Sequence, residues 1–222
     1  MRLRAVLCEH HVFFAALVAL PIYLGMAAPQ TASAEPLKIL ALGDSLTSGY
    51  GLPPGEGFTD QLGQALNDAG VSARVINGGV AGDTSADGLA RLDWSLADDP
   101  AVVIIELGGN DALRGLDPKV TKKNLDAILT KLQQQHRAIL LAGMLAPPNL
   151  GDEYGASFNP IFPALAKQHD VAFYPFFLDG VAGNPSLVQP DGIHPTAQGV
   201  AIIVQRILPT LRQAIDGARS TD

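Results

Sequence analysis

Along the chain, short apolar runs alternate with longer stretches in which apolar positions recur every three or four residues. Leu37–Leu42 (LKILAL) reads as a first strand. Phe58, Leu62, Ala65, Leu66 and Ala69 then fall at helical spacing and stop at Gly70, which predicts a helix over Phe58–Ala69. Ala73–Ile76 follows as a second strand and Ser85–Leu96 as a helix. The run VVIIEL at Val102–Leu107 is a third strand, apolar enough to be covered on both faces of a parallel sheet. Lys122–Gln135 is expected to be a helix, Ala138–Met144 a strand, Phe162–His169 a helix and Val171–Tyr174 a short fifth strand. The last helix starts at Pro195 or Thr196 and repeats apolar residues from Val200 to Ile215. Pro209 lies inside it and is expected to kink or split it. Strand and helix in strict alternation specify an α/β fold, with a parallel sheet and helices on both faces. No repeat, low-complexity segment or linker divides the pattern.

Residues 1–34 stand outside it. Arg2 and Arg4 make a basic start, Val12–Ala28 is almost wholly apolar, and Ala32-Ser33-Ala34 places small residues where a signal peptidase reads. A signal peptide over 1–34 is expected, with cleavage after Ala34, a single domain over 35–222, and a periplasmic or secreted location. An uncleaved membrane anchor is the alternative, and Pro21 and Gly25, which interrupt the apolar run, count against it. Cleavage changes the charge from −7 to −8, since Arg2, Arg4 and Glu9 leave with the segment. That acidity argues against nucleic acid or an anionic membrane as a partner. Cys8 is the sole cysteine and leaves too, so the domain has no disulfide, thiol nucleophile or thiolate metal site. His136, His169 and His194 are scattered without ligand spacing, so neither metal nor cofactor is expected.

In a parallel α/β sheet, ligands bind outside the carboxyl ends of the strands. Three loops on that edge are rich in glycine and small polar residues: 43–51 within ALGDSLTSGYG, 77–84 within NGGVAGDTS, and 108–115 within LGGNDALRG. Any one alone reads as a turn that needs positive φ. Together they turn backbone N–H groups and the Asn110 amide towards one crevice, with Ser45 at the end of the first strand. The segment PDGIHPTA sets Asp191 three residues before His194, a spacing that brings a carboxylate onto the imidazole Nδ1 within one tight turn. Pro195 biases His194 to an extended backbone. A lone histidine at a helix start is ordinarily a cap or a surface residue. With Ser45 on another strand end, it and Asp191 make the remaining members of a nucleophile–base–orienter set.

Gly43-Asp44-Ser45-Leu46, Gly82 in AGDTS, Gly108-Gly109-Asn110-Asp111 and Asp191-x-x-His194 occur in the order of the four sequence blocks of the SGNH (GDSL) hydrolases. The resemblance spans Leu37 to the last helix and is nearest to the bacterial arylesterase, lysophospholipase and acyl-thioesterase branch. It implies a three-layer sandwich around a five-stranded parallel sheet of flavodoxin-like order, acting as a monomer on small-molecule esters. It also implies hydrolysis through an acyl-enzyme on Ser45, with His194 as base and Asp191 orienting it. The oxyanion hole would be the Ser45 N–H, the Gly82 N–H and the Asn110 amide. Asp44 and Asp111 are expected to hold the loops through backbone donors, and Arg114 to be a solvated surface residue.

Two other readings exist. One is a carbohydrate O-deacetylase on the same scaffold, disfavoured because Trp94 is the sole tryptophan available to stack on sugars. The other is a flavodoxin-like binding protein that holds phosphate in SLTSGYG, which leaves Asn110, Asp191 and His194 without a purpose. The connections 145–159 and 175–190 flank the crevice. They offer Leu145, Leu150, Phe176, Phe177, Leu178 and Leu187 as an apolar wall for an acyl or aryl group, or as lids on the core. Aryl and short-to-medium acyl esters are the expected substrates, with lysophospholipids and thioesters as extensions.

Overall fold

The computed structural model describes residues 35–219; the expected leader, 1–34, lies outside the described residues. Five strands form one parallel sheet in the order β2-β1-β3-β4-β5: β1 (Leu37–Gly43), β2 (Ala73–Gly79), β3 (Val102–Glu106), β4 (Ala138–Ala142) and β5 (Ala172–Tyr174). Every residue of β3 is buried, as its unbroken apolar run requires of a strand covered on both faces. On one face pack α2 (Phe58–Asp68) and the last helix, α9 (Ala197–Arg219). On the other lie α3 (Ser85–Ala90), α6 (Pro118–Gln134) and α8 (Ile161–His169). The result is the expected three-layer α/β sandwich.

The chain leaves β1 for β2 on one side and then crosses to β3 on the other, so the strand order reverses between β1 and β3. Their carboxyl ends therefore splay around a crevice. Three short helices lie in the connections that leave the carboxyl ends of β1, β3 and β4: α1 (Ser45–Ser48), α5 (Gly109–Leu113) and α7 (Asp152–Phe158); a fourth, α4 (Leu92–Ser95), lies on the return from α3 to β3. The segments of α1, α5 and α7 carry no helical periodicity, because four to seven residues are too few to show a repeat.

Several boundaries differ from the pattern-based expectation. The helix expected over Ser85–Leu96 divides at Arg91 into α3 and α4. Arg91 is drawn inward at that point, its Nε donating to Asp83 Oδ2 at 2.6 Å and its Nη2 to the Gly43 carbonyl at 2.9 Å. Helix α6 starts at Pro118, earlier than expected, because the Asp117 carboxylate caps the Lys119 N–H and proline suits the first turn. Strand β2 runs on to Gly79, past its apolar part, by pairing with β1 as far as Gly43. Helix α9 begins at Ala197 and continues through Pro209 as one element. The buried row Val200, Ile203, Val204, Ile207, Leu211 and Ile215 holds it against the sheet despite the missing N–H. Among the described residues, no helix is long and apolar enough to cross a membrane.

Candidate active site

Ser45 opens α1, two residues beyond the end of β1. Asp44 caps that single turn, its Oδ1 accepting the Leu46 N–H at 3.0 Å, and Gly49 closes it in the left-handed region with φ 78°. The turn is anchored below as well. Thr47 is fully buried, and its hydroxyl donates to Glu106 Oε2 at 2.7 Å, while the Asp44 N–H donates to the same oxygen at 3.2 Å. Gly43 makes this possible. A Cβ there would lie 2.5 Å from Glu106 Oε2 and would also collide with the Thr47 side chain.

His194 reaches Ser45 from the segment before α9. Its Nε2 stands 2.9 Å from Ser45 Oγ, and its Nδ1 stands 2.7 Å from Asp191 Oδ2. The other oxygen, Asp191 Oδ1, accepts the N–H groups of Ile193 and His194 at 2.9 and 3.0 Å. These bonds, with Ile193 first, hold the Asp191 carboxyl down at about 2, so it is an acceptor at any ordinary pH. An acceptor at Nδ1 puts the imidazole proton there and leaves the Nε2 lone pair facing the serine hydroxyl. Gln189 ties this segment to the serine side. Its N–H donates to the His194 carbonyl at 2.7 Å, and its Nε2 donates to the carbonyls of Tyr50 and Pro195 at 2.8 and 3.0 Å. The Tyr50 ring lies 4.6 Å from the imidazole, centroid to centroid.

Gly82 sits in the turn after β2 with φ +87°, a conformation that favours glycine, and its carbonyl accepts from Arg114 Nη2 at 2.6 Å. Asn110 lies on α5, where its Nδ2 donates to Asp44 Oδ2 at 2.9 Å and to the Asp83 carbonyl at 3.0 Å. Both amide hydrogens are therefore engaged without substrate, and a ligand oxygen must displace one of these acceptors to receive one. Asp111, fully buried, accepts the Ser85 N–H and hydroxyl at 2.7 and 2.5 Å and the Thr121 hydroxyl at 3.0 Å. It pins the start of α3 to α5 and α6, a wider role than holding backbone donors alone.

Ser45, Gly82, Asn110 and His194 line one cleft of about 760 Å³, and Asp191 lies behind the imidazole. Leu145, Phe176 and Leu178 line this cleft as expected, joined by Leu113, Met144, Val188 and Ile193. Phe177 does not: it is fully buried, edge-on against Phe58. Leu187 is likewise buried in the core, and Leu150 stands off the cleft. Arg114 is exposed, yet it clamps the Gly82 carbonyl rather than standing free in solvent. Pattern reading passed over Glu106, hidden in an apolar run, and Gln189, whose residue type carries no signal of its own. The hydroxyl loop proposed for phosphate is instead a helical turn with Ser45 turned to His194.

A serine, an imidazole and a carboxylate in one hydrogen-bonded line, at the carboxyl edge of a parallel sheet, define a hydrolase of the nucleophilic type. A family model described as GDSL-like lipase/acylhydrolase matches residues 41–202, and the chain belongs to that family. It is 40% identical over 183 residues to esterase TesA of Pseudomonas aeruginosa, covering 82% of this chain and 91% of that one. It is 36% identical over 196 residues to an arylesterase of Vibrio mimicus, covering 88% and 96%. Among solved structures, AlinE4, an esterase of the SGNH-hydrolase family, is 48% identical and superposes with a TM-score of 0.69, covering 81% and 97%. The chain is thus a serine ester hydrolase on the SGNH fold.

Proposed function

We propose that this enzyme hydrolyses aryl esters and short-to-medium acyl esters through an acyl-enzyme on Ser45. The observation that carries the reading is the line Ser45 Oγ, His194 Nε2, His194 Nδ1, Asp191 Oδ2, at 2.9 and 2.7 Å, opening on an apolar cleft. Ser45 Oγ attacks the ester carbonyl as His194 Nε2 takes its proton, and Asp191 balances the imidazolium that forms. The carbonyl oxygen becomes an oxyanion, received by the N–H groups of Ser45 and Gly82 and by the Asn110 amide once one of its resting acceptors gives way. His194 then returns the proton to the leaving alcohol or phenol. Water, deprotonated in turn by His194, releases the acid and restores Ser45. The apolar lining, from Leu113 to Ile193, suits an acyl or aryl group and extends the reading to lysophospholipids and thioesters.

Two measurements test it. Ser45→Ala is expected to lower turnover of an aryl acetate by on the order of 10⁴–10⁶-fold and to abolish labelling by a serine-directed phosphonate, with the fold intact. A Ser45→Ala enzyme that still turns over normally sinks the mechanism. Residues 1–34 act as an export leader, a reading supported by their basic start, apolar run and Ala-Ser-Ala site. Mass spectrometry of the exported protein should find Glu35 first, and an intact Met1 in the membrane fraction refutes cleavage. The domain acts as a monomer, which light scattering checks.

A further inference from the structure

Glu106 takes no part in the steps above, yet it lies fully buried under the nucleophile turn. It ends β3, paired in register with Gly43 of β1, and its side chain passes beneath the turn through the space that Gly43 leaves open. Oε2 accepts two donors, the Asp44 N–H and the Thr47 hydroxyl. Oε1 is buried and has no hydrogen-bond partner among the described residues.

A carboxylate would be poorly served there. One oxygen would carry charge with no donor, away from water, beside a second buried carboxyl, Asp44. The charged groups nearby are committed elsewhere. Arg91 is spent on Asp83 and the Gly43 carbonyl, and His194 faces Ser45 and Asp191. Among the described residues, no cation bonds Glu106. Burial first, and then the Asp44 charge, push the Glu106 carboxyl well above the ordinary glutamate range. Burial raises Asp44 as well, but less, to about 6, because the Leu46 N–H, the Asn110 amide and the Glu106 carboxyl hydrogen-bond to it. Two adjacent acids whose environments push them apart in this way take different protonation states.

We propose that Glu106 is a positioning residue kept as a neutral carboxylic acid. Its Oε2 fixes the turn that carries Ser45, and its neutrality keeps a buried negative charge away from the site where the ester oxyanion develops. This role rests on Ser45 as the nucleophile, for only then does an oxyanion form beside the turn.

Infrared spectroscopy of the intact protein at pH 7 tests the protonation state directly. The carbonyl stretch of a protonated carboxylic acid should be present in the wild type and lost in Glu106→Gln. Its absence from the wild type overturns the proposal, whatever Ser45 does. Kinetics test the positioning. The Gln carbonyl can accept both donors, so Glu106→Gln should keep kcat within about threefold, whereas Glu106→Leu releases the turn and should lower kcat on the order of 10–100-fold with KM little changed. Glu106→Gln falling as far as Glu106→Leu would mean that the anion is what matters. Glu106→Leu with wild-type kcat would remove Glu106 from positioning. Should the Leu variant not fold, the infrared comparison with Glu106→Gln still decides the matter. An active Ser45→Ala enzyme would fell the nucleophile reading and leave the infrared band untouched, so the two failures are separable.

Discussion

Two carboxyl groups serve the serine from opposite sides, and they solve opposite problems. Asp191 stands at the surface with its side chain more than a third exposed, in a loop, where the Ile193 and His194 N–H groups and the imidazole surround it with donors. Its charge is stabilised before any substrate arrives, and it falls to about 2. Glu106 lies under the sheet edge with two donors on one oxygen and none on the other, and it rises. The difference lies in the count of N–H and O–H groups against the loss of water, since the carboxyl group is the same. An exposed turn can surround an anion with donors, because its backbone N–H groups are not yet used. A strand end inside a parallel sheet has spent its backbone donors on the ladder, so an acid there is better neutral.

Asp191→Asn attacks the charged half of this pair and should have the larger effect. The amide can donate to Nδ1, which favours the tautomer that presents Nε2–H to Ser45 and removes the acceptor for the serine proton. Turnover should fall by about 10⁴-fold while phosphonate labelling slows in parallel. The native carboxylate itself sets no limit on activity at moderate acidity. Its native value lies below the ordinary one, so the charge and the stability it brings are fully present above about 3.8 and are lost only as pH falls through about 2. An Asp191→Asn enzyme within tenfold of wild type would show that the carboxylate is a mere loop staple.

Asn110→Ala tests the link between the two sides, since its amide binds Asp44, the neighbour of Glu106. Loss of one oxyanion donor should lower turnover by about 10²–10³-fold with little change in KM, and labelling at Ser45 should persist, only slower. The substitution also strips Asp44 Oδ2 of its donor, and an unsatisfied buried acceptor costs about 1–3 kcal/mol. A variant that is less stable but turns over normally would assign the amide wholly to holding Asp44.

What the sequence made legible follows the same division. Alternating apolar runs specified the layers, and the strand-end position of Ser45 followed from them. Asp191 and His194 were readable because one short turn contains both, and a spacing of three residues is a local geometric statement. Glu106 was not, because its meaning comes from Asp44 and Thr47, some sixty positions away, across a β1–β3 pairing that no local pattern encodes. The same holds for Arg91: its inward bonds to Asp83 and Gly43 coincide with the break of a helix that periodicity ran straight through. The cleft wall divided by packing. Phe176, Phe177 and Leu178 are adjacent and equally apolar, and only the fold decides that the middle one turns inward to Phe58.

The smallest effect expected per step is on stability, and it isolates the neutral half of the comparison. In the unfolded chain Glu106 releases its proton near the ordinary value of 4.5, whereas the native protein holds it to higher pH. Between those two values the native state binds more protons than the unfolded state, so stability falls as pH rises, by at most about 1.4 kcal/mol per pH unit for one proton. Asp44 contributes a fall of the same sign below about 6 and is ionised in both states above it. Urea unfolding of the wild type and of Glu106→Gln at pH 6.5 and 7.5 reads the coupled Glu106–Asp44 pair: the gap between the two proteins should move in favour of the Gln variant with rising pH. Parallel curves would mean that Glu106 is ionised in the native protein across this range, and the contrast with Asp191 would then be one of position only.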